Sequence, residues 1–151
     1  MSHVNNLVHC VWATKRRYPF ITAANRSQIL KHIIQYAQDN GVSIDFINGY
    51  KNHIHCLLSL QPNQTLAAVM RGLKGESSRW INSHIPECQG FRWAHEYYAV
   101  SVGPGILDKV RDYIRDQDIH HRHRSTENEL RAFFKTIDNY SKRFRWDLIH
   151  D

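Results

Sequence analysis

Two histidines stand two positions apart in an apolar segment, at His53 and His55. Side chains two apart on a β-strand project from the same face, so both imidazoles point one way while Ile54 points the other way. Two converging imidazoles can ligate one divalent metal ion. Histidine also lies half-exposed on many protein surfaces, and an ordinary surface pair fits the pattern equally well. A metal site therefore needs a third ligand from elsewhere in the chain.

A second polar pair, Tyr113 and Gln117, lies in a segment with helical periodicity. The apolar stripe of that segment consists of Ile106, Leu107, Val110 and Ile114. At about 100° per residue, Gln117 falls in the middle of the stripe and Tyr113 on its edge. A buried amide needs a polar partner, and its carbonyl oxygen can act as a metal ligand or as a hydrogen-bond acceptor. A tyrosine at the core edge beside a satisfied glutamine fits the same pattern.

Basic residues recur beside aromatic ones in three segments. These segments are residues 15–18, the set Lys74, Arg79 and Trp80, and the set Arg143, Arg145 and Trp146. Cationic side chains contact phosphates and aromatic rings stack on bases, so such pairs suit single-stranded nucleic acid. A solvated basic surface above core aromatics explains them equally. The net charge of +6 favours a polyanionic partner without identifying it.

A histidine tract at residues 120–123 follows the tyrosine segment. Such a tract can bind metal, and His120 or His121 would then supplement the His53 and His55 pair. Histidines at the end of a helix also interact favourably with the helix dipole, which is the alternative explanation.

The elements that must position these residues alternate in type along the chain. Strands are predicted near residues 6–14, 42–46, 53–60 and 97–102, and helices near residues 22–40, 65–81, 106–119 and 126–137. Thr22 and Thr65 are the predicted N-caps, Gly41 ends the first helix, and Asn48-Gly49 predicts a turn. The order βαββαβ predicts an α+β, ferredoxin-like (RRM-like) four-stranded antiparallel sheet. Its helices lie on one face, and a C-terminal helix carries the tyrosine.

The length of 151 residues predicts one domain, 1–151, in which residues 130–151 form a C-terminal extension. The three cysteines form no CxxC pair and are expected to be buried, reduced thiols. No apolar run is long enough to cross a bilayer, and the N-terminus lacks a signal pattern. The expected location is the cytoplasm.

The segments with chemical potential follow one another in a characteristic order. They are the loop Thr14-Lys15-Arg16-Arg17 after a strand, His53-Ile54-His55, Leu73-Lys74-Gly75-Glu76-Ser77-Ser78-Arg79, Phe91-Arg92-Trp93, Tyr98-Ala99-Val100-Ser101-Val102-Gly103, and Tyr113-Ile114-Arg115-Asp116-Gln117 with His120-His121. In these motifs and their order the chain resembles the single-tyrosine HUH transposases of insertion sequences, including the REP-associated tyrosine transposases. The resemblance extends to about Glu129. Asn52 stands where many members have aspartate.

The resemblance implies a reaction. Tyr113 is expected to attack single-stranded DNA, form a 5′-phosphotyrosine and release a 3′-hydroxyl that can later rejoin another strand. His53, His55 and Gln117 are expected to hold magnesium or manganese, although two imidazoles would also accept zinc. A tyrosine hydroxyl is a weak nucleophile that needs such activation.

The resemblance also implies partners. The expected substrate is single-stranded DNA with imperfect hairpins at element ends, and the expected DNA-binding residues are Lys15, Arg16, Arg17, Lys74, Ser77, Ser78 and Arg79. Members of the family act as homodimers in which the tyrosine helix can serve the partner's site. Gly103 and Gly105 would supply the hinge, and the open edges of the sheet would pair the two chains.

Two other functions compete with strand transfer. A domesticated module would hold hairpin DNA or RNA on its sheet without cutting it, but such a descendant would be free to lose Tyr113, His53, His55 and Gln117. An unrelated metallohydrolase would need carboxylates near the histidine pair, and none is evident in the sequence.

Overall fold

The computed structural model describes residues 2–119 together with residue 128. In this part of the chain the strands are β1 (Leu7–Ala13), β2 (Ser43–Tyr50), β3 (His53–Ser59) and β4 (Tyr98–Val102), and the α-helices are α1 (Arg26–Asp39), α2 (Leu66–His84) and α3 (Leu107–Arg115). Short 3-10 turns lie at Lys15–Arg17, Pro86–Cys88 and Pro104–Ile106. None of the described helices is both long and apolar enough to span a membrane.

The four strands form one sheet in the order β2-β3-β1-β4. Every pairing is antiparallel, and the central pair aligns Val11 with His55 and Ala13 with His53. The predicted α+β, ferredoxin-like sheet is therefore confirmed. Strands β1 and β3 lie in the middle of the sheet, and all but the last residue of each is buried.

Strand alternation gives the sheet two apolar faces. One face packs Trp12, Ile54 and Leu58 against α1 and α2, whose stripes include Ile33 and Leu73. The opposite face carries a smaller cluster, formed by Leu7, Leu57, Val102 and Ile114 of α3. Helix α3 therefore covers the face of β3 from which His53 and His55 project.

The boundaries of the first two helices follow local side-chain chemistry. Helix α1 begins at Arg26 with Asn25 as its N-cap, so the prediction of Thr22 as N-cap was wrong. Thr22 and Asn25 instead build a turn, in which each side-chain oxygen accepts the other residue's backbone N–H at 3.2 and 2.8 Å respectively. Gly41 follows the helix end with φ of +69°, as predicted. Thr65 caps α2 by accepting from the Ala68 N–H at 3.2 Å.

The predicted turn at Asn48-Gly49 was also wrong, because both residues lie inside β2 and the chain reverses at Lys51-Asn52. Gly49 allows β2 to pass close to the Ile54 side chain, since a Cβ at position 49 would lie 2.7 Å from the Cδ1 atom of Ile54. Asn48 has a different task, because its amide donates to the carbonyl oxygens of Ile114 at 2.9 Å and Arg115 at 3.1 Å.

Helix α3 is shorter than predicted, since it ends at Arg115 with Asp116 as C-cap. Arg111 fixes it to β2 by a bidentate contact with the Asp45 carboxylate, at 2.8 and 2.6 Å. Through this hydrogen bond Arg111 lowers the pKa of Asp45. The helix predicted for residues 126–137, the histidine tract and the C-terminal extension lie outside the described residues, apart from residue 128.

Asp45→Asn should loosen the attachment of α3. The ion pair is partly exposed, so we expect hydrogen exchange of the α3 amides at neutral pH to accelerate only about 1.5- to 5-fold, with β1 and β3 unchanged. Because the pKa of Asp45 is lowered in the folded state, its contribution is present above its unfolded pKa of about 4 and disappears as the pH falls through the folded value. Asp39→Asn, which makes the same charge change on α1, is the control. Equal exchange rates in wild type and Asp45→Asn at neutral pH would contradict the role.

Candidate active site

The structure brings together the three predicted metal ligands between the sheet and α3. His53 and His55 project from β3 with ring centroids 5.1 Å apart. Gln117, just beyond the end of α3, places its Oε1 atom 3.2 Å from the Nε2 atom of His53. All three side chains are fully buried. Strand alternation positions the two imidazoles, and the helical spacing of Ile114 and Gln117 turns the amide toward them.

The tautomer of the neutral His53 ring follows from its neighbours. The amide nitrogen of Asn52 donates to the Arg17 carbonyl at 3.3 Å, so the Oδ1 atom of Asn52 is the acceptor for the His53 Nδ1 atom at 2.9 Å. His53 therefore carries a proton on Nδ1, and in the neutral ring Nε2 bears a lone pair. That lone pair points toward Gln117.

The orientation of Gln117 is set in the same way. Its Nε2 atom donates to the Tyr113 carbonyl at 3.2 Å, which leaves Oε1 as the atom facing His53. Two lone pairs that face each other at this distance repel unless a cation, or a second proton on His53, lies between them. Ligand atoms about 2.1 Å from a shared cation and at right angles to it are about 3 Å apart, so the spacing fits a divalent cation.

A cation here would need an amide ligand. Within residues 2–119 and 128, no group of three His, Cys, Asp or Glu side chains is arranged to hold a metal ion. Two imidazoles and one amide oxygen therefore form the donor set, and this mixed set suits divalent ions of intermediate or hard character.

Tyr113 lies beside the second histidine. Its ring centroid is 5.7 Å from that of His55, in an edge-on arrangement. It is half-buried on α3, one turn before Gln117. The structure thus places the predicted nucleophile and the predicted third ligand on the same helix end, over the histidine pair of their own chain.

Sequence reasoning missed one histidine of the site. His9 on β1 is buried, and its Nε2 atom lies 2.9 Å from the Nδ1 atom of His55. A signal was available, because Leu7, His9 and Val11 alternate on one face of an otherwise apolar strand. A titratable side chain at such a position needs a buried polar partner.

The basic loop at Lys15–Arg17 adjoins the site. Thr14 and Asn52 link it to the start of β3, since the Thr14 N–H donates to the Asn52 carbonyl at 2.8 Å. Arg16 and Arg17 have φ angles of 55° and 53°, which side chains other than glycine adopt at a cost of about 1–2 kcal/mol each. A cavity of about 320 Å³ lies beside the loop. It is lined by Lys15, Arg16, Tyr18, Phe20, Gly90 and Arg92.

The α2 residues proposed to bind DNA lie on the other face of the sheet. Lys74 donates to the His95 carbonyl at 2.8 Å, and desolvation lowers its pKa. Arg79 pairs with Glu76 at 2.7 Å and remains largely exposed. The Ser78 hydroxyl donates to the Phe91 carbonyl at 3.5 Å. The structure therefore does not bring these residues to the histidine pair.

Ser77 lies in the interior. Its side chain donates to the Leu73 carbonyl at 2.6 Å and accepts from the Trp93 indole N–H at 2.9 Å. Only 2% of Ser77 is exposed. Its hydroxyl therefore links α2 to the segment before β4.

Ser77→Ala should reduce stability rather than chemistry. It removes the acceptor for the buried Trp93 N–H, which costs about 1–3 kcal/mol and lowers the melting temperature by several degrees. The DNA cleavage that the resemblance implies should be unchanged per folded molecule. Ser83→Ala, on the exposed side of α2, is the control because its hydroxyl bonds only within the helix. Weaker DNA binding at an unchanged melting temperature would instead assign Ser77 to the DNA interface.

The sheet carries a buried histidine pair beneath a helix with tyrosine and glutamine, the arrangement expected from the resemblance to the single-tyrosine transposases. The family model described as "Transposase IS200 like" matches residues 2–117, and the chain belongs to this family. It is therefore a transposase that acts in DNA transposition and recombination.

Known relatives agree with the assignment. The ISDra2 transposase TnpA of Deinococcus radiodurans is 24% identical over 114 residues, which cover 72% of this chain and 81% of that protein. A crystal structure of a putative transposase from Deinococcus radiodurans R1 superposes with a TM-score of 0.64 at 23% identity, covering 78% of this chain and 95% of the other. A REP-associated tyrosine transposase bound to a REP hairpin gives a TM-score of 0.61 at 17% identity, covering 80% and 72%. These structural similarities concern the fold.

Proposed function

We propose that this transposase cleaves and rejoins single-stranded DNA through a covalent 5′-phosphotyrosine on Tyr113. The observation that carries the proposal is the convergence of Tyr113 and Gln117 on the buried His53 and His55 pair. The proposed nucleophile, the proposed cation ligands and the basic loop then lie at one end of the sheet. This combination suits phosphoryl transfer better than simple binding.

The reaction conserves phosphodiester bonds. The Tyr113 hydroxyl oxygen attacks the scissile phosphorus and loses its proton, while the bond from phosphorus to the 3′ oxygen breaks. The 3′ oxygen takes up a proton and leaves as a free hydroxyl, and the 5′ phosphate stays on the tyrosine. When the 3′-hydroxyl of another strand attacks that phosphate, the strands are joined and the tyrosine is released. No external energy source is needed.

The proposed ligands of a divalent cation, magnesium or manganese, are His53, His55 and Gln117. When bound, such an ion polarises the phosphate and neutralises the charge that develops during attack. The protein's own contribution is orientation. Asn52 holds the His53 ring with its Nε2 lone pair toward Gln117, and the Tyr113 carbonyl holds the Gln117 amide.

The proposed path of the DNA runs over the basic loop. Lys15, Arg16 and Arg17 would contact phosphates. The exposed Tyr18 ring, whose centroid lies 4.5 Å from that of Phe20, offers a surface for base stacking. We take hairpins near element ends as the recognised feature, by analogy with the relative bound to a REP hairpin. Lys74, Ser78 and Arg79, on the far face, would contact only DNA remote from the cleaved bond. Ser77 is omitted from the set.

We also propose a homodimer that forms through an edge strand. Strands β2 and β4 lie at the edges of the sheet, where unpaired backbone groups can pair with a second copy. Gly103 and Gly105, just before α3, are the proposed hinge for exchange of the tyrosine helix. Light scattering at micromolar concentration should give the mass of two chains. A single-chain mass with and without DNA would remove the dimer and the shared site.

The test of the reaction uses single-stranded oligonucleotides from the DNA that flanks the gene, with magnesium or manganese. The proposal predicts that a label at the 3′ end becomes covalently attached to the protein, whereas a label at the 5′ end appears on a shorter free strand. Denaturing gels separate the two products. An adduct that carries the 5′ label would contradict the chemistry, and hairpin binding without any adduct would favour a non-cleaving binding module.

A further inference from the structure

We propose that His9 is a positioning residue for the metal site, and that it accepts a hydrogen bond from the Nδ1–H group of His55. This inference rests on the proposed function, because it assumes that His55 ligates a cation. It assigns a task to a buried side chain that the reaction itself does not use.

The contact is built into the pairing of the central strands. In the register of β1 and β3, Val11 lies opposite His55 and His9 opposite Leu57, so the two histidines are diagonal neighbours on one face. Their ring centroids are 5.1 Å apart, and the Nε2 atom of His9 lies 2.9 Å from the Nδ1 atom of His55. Only 1% of His9 is exposed.

The positions of the ring protons decide whether His55 can ligate a cation through its Nε2 atom. A hydrogen bond between two neutral imidazoles needs one N–H group and one lone pair. If His9 donated, the His55 proton would lie on Nε2 and block ligation there. If His55 donates, its Nε2 atom bears the lone pair that a cation requires. Ligation by His55 through Nε2 therefore needs His9 as the acceptor, with the proton of His9 on its own Nδ1 atom.

His53 provides the parallel. Asn52 accepts from the Nδ1 atom of His53 at 2.9 Å, and His9 stands in the corresponding place for His55. Each ligand histidine thus has its own acceptor on Nδ1, one from the turn before β3 and one from the neighbouring strand. Such outer partners fix the ring orientation and tautomer of a ligand, and their loss typically weakens metal binding about 10- to 100-fold.

The experiment compares His9→Gln with His9→Leu. The Gln amide oxygen can reach the position of the lost Nε2 acceptor, whereas Leu fills the space without an acceptor. Manganese binding to the full chain without DNA is measured by calorimetry, and the melting temperature is measured in chelator. We expect His9→Leu to weaken binding about 10- to 100-fold and to lower the melting temperature by a few degrees, because the buried His55 N–H loses its acceptor, and His9→Gln to restore most of the affinity. His9→Met, also apolar, replaces the Leu variant if that variant does not fold.

Two further variants separate the possible outcomes. Val11→Ala, on the same strand and face, should lower the melting temperature while leaving manganese affinity nearly unchanged. His53→Ala should abolish binding. If manganese does not bind to wild type, or binds to His53→Ala as tightly as to wild type, the proposed metal site fails. If that site stands but His9→Leu binds as tightly as wild type, or if His9→Gln loses as much as His9→Leu, the role of His9 is overturned.

Discussion

Tyr113→Phe should eliminate the covalent protein–DNA adduct. The substitution removes the attacking oxygen and barely changes side-chain volume, so fold and hairpin binding should survive. Loss of a covalent nucleophile lowers turnover by at least about 1000-fold, which places the adduct below detection on a denaturing gel. The measurement is the 3′-labelled adduct with single-stranded DNA, accompanied by DNA affinity and the melting temperature of the variant.

Tyr98→Phe is the matched control. The chain has seven tyrosines, and Tyr98 is a suitable rival because it pairs with Val11 and faces the same side of the sheet as His55. Burial raises the pKa of Tyr98 to about 12, which disfavours the phenolate. Tyr98→Phe should therefore keep the adduct. An adduct that persists in Tyr113→Phe and disappears in Tyr98→Phe would move the nucleophile to Tyr98.

His53→Ala should have the second large effect. Removal of a ligand from the proposed cation site takes away stabilisation of charge on the phosphate, and we expect adduct formation to fall by about 100-fold or more. Hairpin affinity should change little, because phosphate contacts dominate it. Fluorescence anisotropy with a labelled hairpin measures binding, and the denaturing gel measures cleavage.

Two comparisons make the result specific. His84→Ala removes an exposed histidine of α2 that stacks on Trp80, with ring centroids 4.9 Å apart, and it should leave both readouts unchanged. His53→Leu keeps more of the buried volume without an atom that can ligate a cation, and it separates loss of the ligand from loss of packing. Equal losses of hairpin affinity and cleavage in His53→Ala would identify His53 as a DNA contact. Unchanged cleavage would exclude it from the site.

Local patterns predicted most of the fold. The alternation at His53, Ile54 and His55 determines which side chains share a face, and the apolar stripe that includes Ile114 determines which side of α3 meets the sheet. Both depend on the period of one element, which can be read without knowledge of its neighbours. The same periodicity predicted that Gln117 would be buried, and the resemblance to the transposase family implied that it would lie opposite the histidines.

The features that were missed depend on pairing between distant segments. His9 becomes part of the site only through the register of β1 with β3, which its own strand does not specify. Asn48 and Gly49 have the composition of a turn, but contacts with α3 and Ile54 keep them in a strand. Ser77 belongs to a basic segment, yet its partner Trp93 lies sixteen positions away. Such tertiary contacts override local preference.

Because the amide of Gln117 donates a hydrogen bond to the carbonyl of Tyr113, the proposed third ligand and the proposed nucleophile would move together with the end of α3. On the proposed ligand set, displacement of α3 removes both at once and leaves two imidazoles facing solvent. Thermodynamic reciprocity then applies: the factor by which a docked helix tightens cation binding equals the factor by which the cation favours docking. Measured cation affinity would therefore report whether α3 is docked. A site from which α3 is displaced would be unable to nick DNA prematurely.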